Sequence, residues 1–193
     1  MKRKHIRPQI NTAGLAAYYK LWAGLSSPTT VFDYSLNGLT GTVAGTNCAP
    51  AYPGFSFNGT DDYIDVGTGP ASVKSVALWI KQDDIAGNEY PIDLNGTDFI
   101  SVASGAVTVN GFTAASLYVD AAAGTSGVTA IAANTWAFIV VTDTTASNAT
   151  DFDIGKETAN FFDGIIGEVM LFDKVLALSD IKSIYETTRW RYV

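Results

Sequence analysis

Residues 55–67, with the sequence FSFNGTDDYIDVG, constrain the fold of this chain more than any other stretch. Two arms, residues 55–57 and 63–66, alternate apolar and polar side chains, and alternation at period two predicts half-buried strands. Between the arms lies a polar corner that begins with Asn58 and Gly59. An Asn-Gly pair readily adopts the positive φ that a tight reversal needs. Short strands joined by polar corners predict a β-sandwich.

The rest of the chain repeats this pattern of apolar strands and glycine-rich corners. Residues 136–142 form the most apolar strand, and we expect both of its faces to be buried. One helix is predicted at residues 178–186, with Ser179 as its N-cap and an apolar stripe that covers an edge of the sandwich. The other principal strands are predicted at residues 14–22, 39–43, 73–81, 90–94, 99–103, 106–109, 116–119, 152–155 and 164–172.

Length and composition limit the classes of protein to consider. A chain of 193 residues with 47% hydrophobic residues predicts one folded domain and excludes a disordered protein. Outside the first seven residues there are 8 basic and 19 acidic residues, and this acidic body argues against nucleic acid as the main partner. The single cysteine, Cys48, excludes an intrachain disulfide. No apolar run reaches the length of a membrane span.

The N-terminus carries a concentrated positive charge that admits two interpretations. It resembles the start of a secretory signal, but Pro8, Gln9, Asn11 and Thr12 interrupt the apolar region that should follow, so a signal peptide is rejected. The arm is either simply solvated or docks onto an acidic neighbour in an assembly. The residues that would make such assembly contacts are Lys2, Arg3, Lys4 and Arg7.

Several weak motifs occur together in a recognisable order. They are LAAYY at 15–19, DYSLNG at 33–38, FNGTDDYI at 57–64, VALWIK at 76–81, LYVD at 117–120 and EVMLFD at 168–173. As a set, residues 14–186 resemble the laminin-G-like, concanavalin A-like jelly-roll domains of bacterial, metagenomic and phage proteins. The resemblance implies an all-β fold, a two-sheet antiparallel jelly-roll sandwich with one short C-terminal helix. We therefore divide the chain into a basic arm (1–12), the jelly-roll domain (13–187) and a C-terminal tail (188–193).

Two positions depart from the family pattern. Gly167 stands where the closing strand of the family usually has an aspartate, and Ala121 stands where a glycine usually follows Tyr-Val-Asp. Some relatives hold a structural calcium near the closing strand, but Asp33 and Glu168 fall short of the roughly six to eight oxygen ligands that calcium takes. We therefore predict no cofactor. The sequence supports a structural calcium only weakly. The hairpin at Ala121 is expected to be longer or differently shaped.

The sequence gives little material for catalysis. Jelly-roll glycosidases need two carboxylates roughly 5 to 9 Å apart. The laminarinase-like branch places them in an alternating Glu-x-Asp-x-x-Glu run, and this sequence contains no such run. Asp61 and Asp62 are adjacent in a corner, where capping and solvation explain them. Asp151 and Asp153 share a predicted strand face but have no third acidic partner along the sequence. The only histidine, His5, lies in the basic arm. The chain is therefore predicted not to be an enzyme.

Exposed aromatic residues are the candidates for binding. Tyr52, in a loop flanked by prolines, and Tyr90, after a turn, are candidate carbohydrate-binding residues. Trp190 lies between Arg189 and Arg191 in the tail, which either docks into a neighbouring subunit or folds back on its own sandwich.

Three functions compete. The first is a non-enzymatic structural or adhesion protein on the surface of a phage virion, because such domains work outside cells and no export signal is found. Its partners would be other virion proteins or a second copy bound through the termini, and host-surface glycans. A stand-alone carbohydrate-binding module, extracellular or at a cell surface, is the alternative. A polysaccharide depolymerase is the third. Neither nucleic-acid binding nor membrane insertion is expected.

Overall fold

The structure is a computed structural model that describes residues 10–193. It confirms the predicted all-β sandwich with a single short helix near the C-terminus. The strands are β1 (Leu15–Lys20), β2 (Thr30–Val31), β3 (Gly41–Ala44), β4 (Ala49–Pro50), β5 (Phe55–Asn58), β6 (Tyr63–Gly67), β7 (Val73–Gln82), β8 (Asn88–Asp93), β9 (Phe99–Ala103), β10 (Ala106–Asn110), β11 (Ala115–Val119), β12 (Ala122–Gly124), β13 (Ala137–Ser147), β14 (Phe152–Ile154), β15 (Lys156–Glu157), β16 (Asn160–Phe161) and β17 (Asp163–Phe172). Helix α1 (Leu178–Thr188) leads into a 3-10 turn, Arg189–Arg191.

Two antiparallel sheets face each other. Sheet 1 has the order β12-β11-β13-β7-β17-β5-β4, and β1 pairs with the second half of β17. Sheet 2 has the order β10-β9-β8-β14-β6-β3-β2. The short β15–β16 hairpin stands apart from both sheets. Because the central strands of each sheet pair with strands that are distant in sequence, β13-β7-β17 in sheet 1 and β8-β14-β6 in sheet 2, side chains that meet on a face come from separate parts of the chain.

The main core lies between the two sheets and is built from strand alternation. On β7, Val76, Leu78 and Ile80 point into this core, as the period-two pattern predicts. Ile92 of β8 and Ile154 of β14 meet them from sheet 2. All five side chains are almost fully buried, and burying apolar surface of this kind stabilises the fold.

A second core covers the outer face of sheet 1. Trp79 and Phe138 point away from the main core, and Ile181 and Ile184 of α1 pack over them. The seven residues at the start of β13 are all buried, which confirms that both faces of this strand are covered. The helix was predicted in the right place, but Ser179 as its N-cap was wrong. The cap position is Ala177, which makes no side-chain capping bond.

The hairpin at Ala121 is shorter than the sequence suggested. Asp120 and Ala121 alone connect β11 to β12, with φ angles of 50° and 61°. Two consecutive residues at positive φ are typical of the tightest hairpin turn, and the usual glycine relieves the strain there. Of the two alternatives predicted for this hairpin, a longer loop was therefore wrong.

Candidate functional site

A polar cleft of about 520 Å³ opens at one end of the sandwich. It lies between the β5–β6 corner, the first residues of β8 and the β15–β16 hairpin. Its lining combines side-chain amides, a hydroxyl, two carboxylates and one aromatic ring, and it consists of Asn58, Gly59, Thr60, Asn88, Glu89, Ala159, Asn160, Phe161 and Asp163. The volume falls within the range of roughly 300 to 1,000 Å³ that is usual for small-ligand sites.

Asn58 organises the first wall of the cleft. Its Oδ1 accepts hydrogen bonds from the backbone N–H groups of Thr60 at 2.9 Å and Asp61 at 3.1 Å, and its Nδ2 donates to the Asp61 carboxylate at 2.8 Å. Gly59 has a φ of 69°, and a Cβ there would lie 2.9 Å from the Cβ of Asp163. The corner predicted from the Asn-Gly pair therefore packs directly against the start of β17.

Glu89 lines the cleft because of an irregularity in β8. Glu89 pairs with Val102, and Ile92 pairs with Ile100. A step of three positions on β8 therefore matches a step of two positions on β9, so β8 contains one extra residue here. Such an insertion is a bulge, and it turns Glu89 toward the space between the sheets. There Glu89 Oε2 accepts a hydrogen bond from the backbone N–H of Asp163 at 2.5 Å. A carboxylate of sheet 2 thus ties the two sheets together beside the cleft.

The cleft is strongly acidic. Burial raises the pKa of Glu89, the Asp163 amide lowers it, and the charges of Asp163, Asp84 and Asp83 raise it again. Burial, then Asp83 and Asp84, also raise the pKa of Asp163. None of the ion pairs formed within residues 10–193 involves any of these four carboxylates. A ligand in the cleft therefore meets a negative potential.

The β15–β16 hairpin presents the aromatic ring. Phe161 pairs with Lys156 across the hairpin, and its ring centroid is 6.3 Å from that of Tyr63 on β6. The Lys156 ammonium lies 4.0 Å from the centre of the Tyr63 ring and 3.1 Å from Asp153 Oδ2. These contacts anchor the hairpin to the outer face of sheet 2 and hold Phe161 at the rim of the cleft.

Strand pairing gives Asp153 acidic neighbours that the linear sequence does not reveal. Asp65 and Asp93 stand directly opposite it on β6 and β8. Burial raises the pKa of Asp153 to about 6, opposed by the bond to Lys156 and reinforced by nearby carboxylates. Asp93 is occupied in capping a turn, where it accepts the backbone N–H of Gly96. Asp151, by contrast, precedes β14, so the shared strand face predicted for it was wrong.

The structure places neither predicted carbohydrate-binding tyrosine among the lining residues of the cleft. Tyr90 is half-buried in the β8 bulge and packs against Phe99, with ring centroids 6.0 Å apart. Tyr52 is 64% exposed in a loop next to the Trp22 turn, since the Ala23 N–H donates to the carbonyl of residue 51. Sequence reasoning missed Glu89 and the β15–β16 hairpin. The only local signal was the polar run that precedes Phe161.

The C-terminal tail folds back on its own sandwich. Tyr192 is 6% exposed and stacks on Trp79 at 4.5 Å, with Trp136 at 4.7 Å. Arg191 Nη1 lies 3.0 Å from Oε1 of the buried Glu168. The Arg191 guanidinium also sits near two indole rings, 5.0 Å from that of Trp22 and 4.6 Å from that of Trp190.

The other residues predicted to make assembly contacts are either exposed at the C-terminus or belong to the N-terminal arm. Trp190 remains 63% exposed, and Arg189 pairs on the surface with Glu186 at 3.1 Å. Trp22, Trp190 and Arg191, joined by the two contacts of the guanidinium, form what we term the aromatic patch. The basic residues of the N-terminal arm lie outside the described residues: Lys2, Arg3, Lys4 and Arg7.

The two carboxylates considered as calcium ligands, Asp33 and Glu168, already bind other groups of the protein. Both oxygens of Asp33 accept hydrogen bonds, including those from the N–H groups of Tyr18 and Leu39. Glu168 faces Arg191. Within residues 10–193, no group of three or more His, Cys, Asp or Glu side chains is placed to hold a metal ion. The same residues include no helix with the length and hydropathy of a membrane span.

Comparisons with known proteins identify the fold. No protein-family model matches the sequence, and no curated protein matches it significantly. Domain 4 of AbnA, a GH43 extracellular arabinanase from Geobacillus stearothermophilus solved with arabinotriose, is similar over 90% of this chain and 98% of its own, with 18% identity and a TM-score of 0.62.

Two further solved structures share the fold over a part of their length. A Trypanosoma rangeli sialidase mutant with trans-sialidase activity has a TM-score of 0.66 and 12% identity, over 95% of this chain. The present chain spans only 34% of that sialidase. The binding domain of botulinum neurotoxin DC, in complex with SialylT, has a TM-score of 0.57 and 13% identity, over 91% of this chain and 52% of the toxin domain. At these identities the likeness concerns the fold.

Proposed function

We propose that this protein is a non-enzymatic glycan-binding domain and that the cleft beside Phe161 is its binding site. The observation that carries the proposal is the composition of the lining, an aromatic ring next to three side-chain amides and two carboxylates. The apolar face of a sugar ring packs on an aromatic ring, while amides and carboxylates exchange hydrogen bonds with its hydroxyls. The fold shared with arabinanase domain 4, solved with arabinotriose, supports the same function.

Binding measured on the intact chain and single-site variants tests the proposal. A glycan array identifies binders, with arabinotriose included as a defined probe, and titration calorimetry gives their affinities. Phe161→Ala should weaken binding at least about tenfold, the usual effect of removing a central aromatic contact. Tyr52→Ala and Tyr90→Ala are matched controls that remove an aromatic ring outside the cleft. Loss of binding in a tyrosine variant, with Phe161→Ala unaffected, would assign the site to the tyrosines and overturn the cleft.

One observation favours a hydrolase as the second candidate. Glu89 and Asp163 line the same cleft and both have raised pKa values, a combination found at catalytic acids. We favour binding over hydrolysis because Glu89 Oε2 is committed to the Asp163 backbone amide. A reducing-end assay on polysaccharides should give no product. Product release that disappears in Glu89→Gln would establish a depolymerase.

For the setting, we propose display on the surface of a phage-like virion, with an extracellular or cell-surface protein as the alternative. Support comes from the motif resemblance to phage and bacterial domains and from two aromatic side chains, Tyr52 and Trp190, that are each about two-thirds exposed. Such rings suit contacts with other virion proteins or with a second copy. Mass spectrometry should detect the chain in purified particles, and its absence from them would refute this setting.

A further inference from the structure

Four carboxylates converge on the cleft from three separate elements. Glu89 and Asp163 line it, and Asp83 and Asp84 follow β7 in the adjoining turn. The turn is held against the start of β17, because the N–H of Asp83 donates to the carbonyl of Asp163 at 3.2 Å. Asp84 is fixed in turn by accepting the N–H of Ala86 at 2.7 Å. The position of this charge relative to the cleft is thus set by backbone hydrogen bonds.

The nearest lysines along the chain are directed elsewhere. Lys156, on the hairpin that carries Phe161, points to Asp153 and the Tyr63 ring on the outer face of sheet 2. Lys81 precedes the turn, but it alternates with the inward-facing Ile80 and therefore lies on the outer face of sheet 1. Inside the part of the chain that the structure describes, the charge of the cleft is balanced by no ion pair.

Starting from the glycan site proposed above, we propose that the cleft accepts uncharged glycans and rejects those that carry carboxylates, such as sialic or uronic acids. Because Glu89 and Asp163 line the cleft, a ligand carboxylate bound there would approach them closely, and like charges nearer than the Debye length of about 8 Å at physiological salt still repel each other. Partial burial of Glu89 and Asp163 weakens the solvent screening of this repulsion. The amides and the Thr60 hydroxyl remain as partners for neutral hydroxyls.

Matched pairs of glycans test this selectivity. An array should carry neutral oligosaccharides and, on the same cores, derivatives capped with sialic or glucuronic acid. Neutral cores should bind at least about tenfold more tightly than their acidic derivatives, a ratio that corresponds to one ordinary like-charge contact. The ratio should shrink as salt rises from about 0.02 M to about 0.5 M, because screening shortens the range of the repulsion.

Variants just outside the lining of the cleft isolate the effect of charge. Asp83→Asn with Asp84→Asn removes two charges without altering a lining residue, so acidic glycans should gain affinity while neutral ones are unchanged. The matched control, Asp180→Asn with Glu186→Gln, removes two charges on α1 and should change neither. Thermal melts confirm that both variants fold.

The outcomes separate the two proposals. Equal or tighter binding of the acidic derivatives overturns the charge selectivity and leaves the glycan site standing. Failure of every glycan to bind overturns the site and the selectivity together. Equal effects of both double variants on the acidic glycans would also overturn the selectivity, because the control charges lie on α1, over the outer face of sheet 1.

Discussion

The packing of Tyr192 on Gly167 makes a prediction whose sign depends on the background. A Cβ added at Gly167 would lie 2.6 to 2.7 Å from Cε1, Oη and Cζ of Tyr192. Carbon atoms in contact are normally about 3.5 to 4.0 Å apart, so the ring would have to retreat by about 1 Å. The Tyr192 ring is confined on its other faces by Trp79 and Trp136. Gly167→Ala should therefore destabilise the protein.

The magnitude follows from the two ways in which the structure can respond. Overpacking a tight site costs about 1 to 3 kcal/mol. If the tail detaches instead, the loss is bounded by that of deleting a buried aromatic side chain, about 3 to 5 kcal/mol. We expect about 2 kcal/mol, because a chain end relaxes readily. In a protein of this size that lowers Tm by about 4 to 8 °C.

The same substitution should reverse sign when the tyrosine is gone. In a Tyr192→Ala background the clash is removed, and Gly167→Ala should be neutral or stabilise by about 0.5 to 1 kcal/mol, because glycine is unfavourable in a strand. Urea unfolding of the four proteins of this double-mutant cycle gives the coupling free energy. Gly87→Ala is the control, because the nearest atom to a Cβ there is 3.7 Å away. Equal destabilisation by Gly167→Ala in both backgrounds would refute the packing of the tail.

Two further predictions concern charge and backbone strain. The pKa of Asp153 is higher in the folded protein than its ordinary value, so the folded protein binds this proton more tightly than the unfolded chain does. The stabilisation from Asp153 is therefore fully present below pH 3.8 and is lost as the pH rises to about 6. Unfolding free energy should accordingly fall with rising pH across that window, and Asp153→Asn should flatten the slope in urea titrations; an unchanged slope would contradict the assignment. Ala121→Gly should raise the unfolding free energy by about 0.5 to 1 kcal/mol, because Ala121 has a φ of 61°; a lower urea midpoint would count against the strained turn.

Local patterns predicted the local parts of this structure. The alternation in residues 73–81 placed Val76 and Ile80 in the core, and the Asn58 corner is built as its sequence suggests. These features depend on neighbours in sequence, which the period of a strand or the φ of a turn fixes directly. Strands 99–103 and 164–172 were likewise found within one residue of their limits.

The candidate site was only partly predictable, because it depends on register and strand order. Glu89 and Asp163 are 74 positions apart and meet through a bulge that no local pattern marks. Asp153 gains acidic neighbours only because β14 lies between β8 and β6. Gly167 was noticed as a lost calcium ligand. Its structural reason, the ring of Tyr192, comes from the far end of the chain.

Strand β17 connects the cleft to the tail and allows the two to be separated by experiment. Asp163 lines the cleft at its first position, and Gly167 lies four residues on, at an irregularity in the pairing with β7. At about 3.3 Å per residue the two sites are about 13 Å apart, beyond the distance at which substitutions usually interact. Tyr192→Ala should thus lower the unfolding free energy without changing glycan affinity. Phe161→Ala should weaken glycan binding without changing the unfolding free energy. Weakened binding in a folded Tyr192→Ala protein would mean that the tail positions the cleft through β17, and the two would then have to be treated as one site.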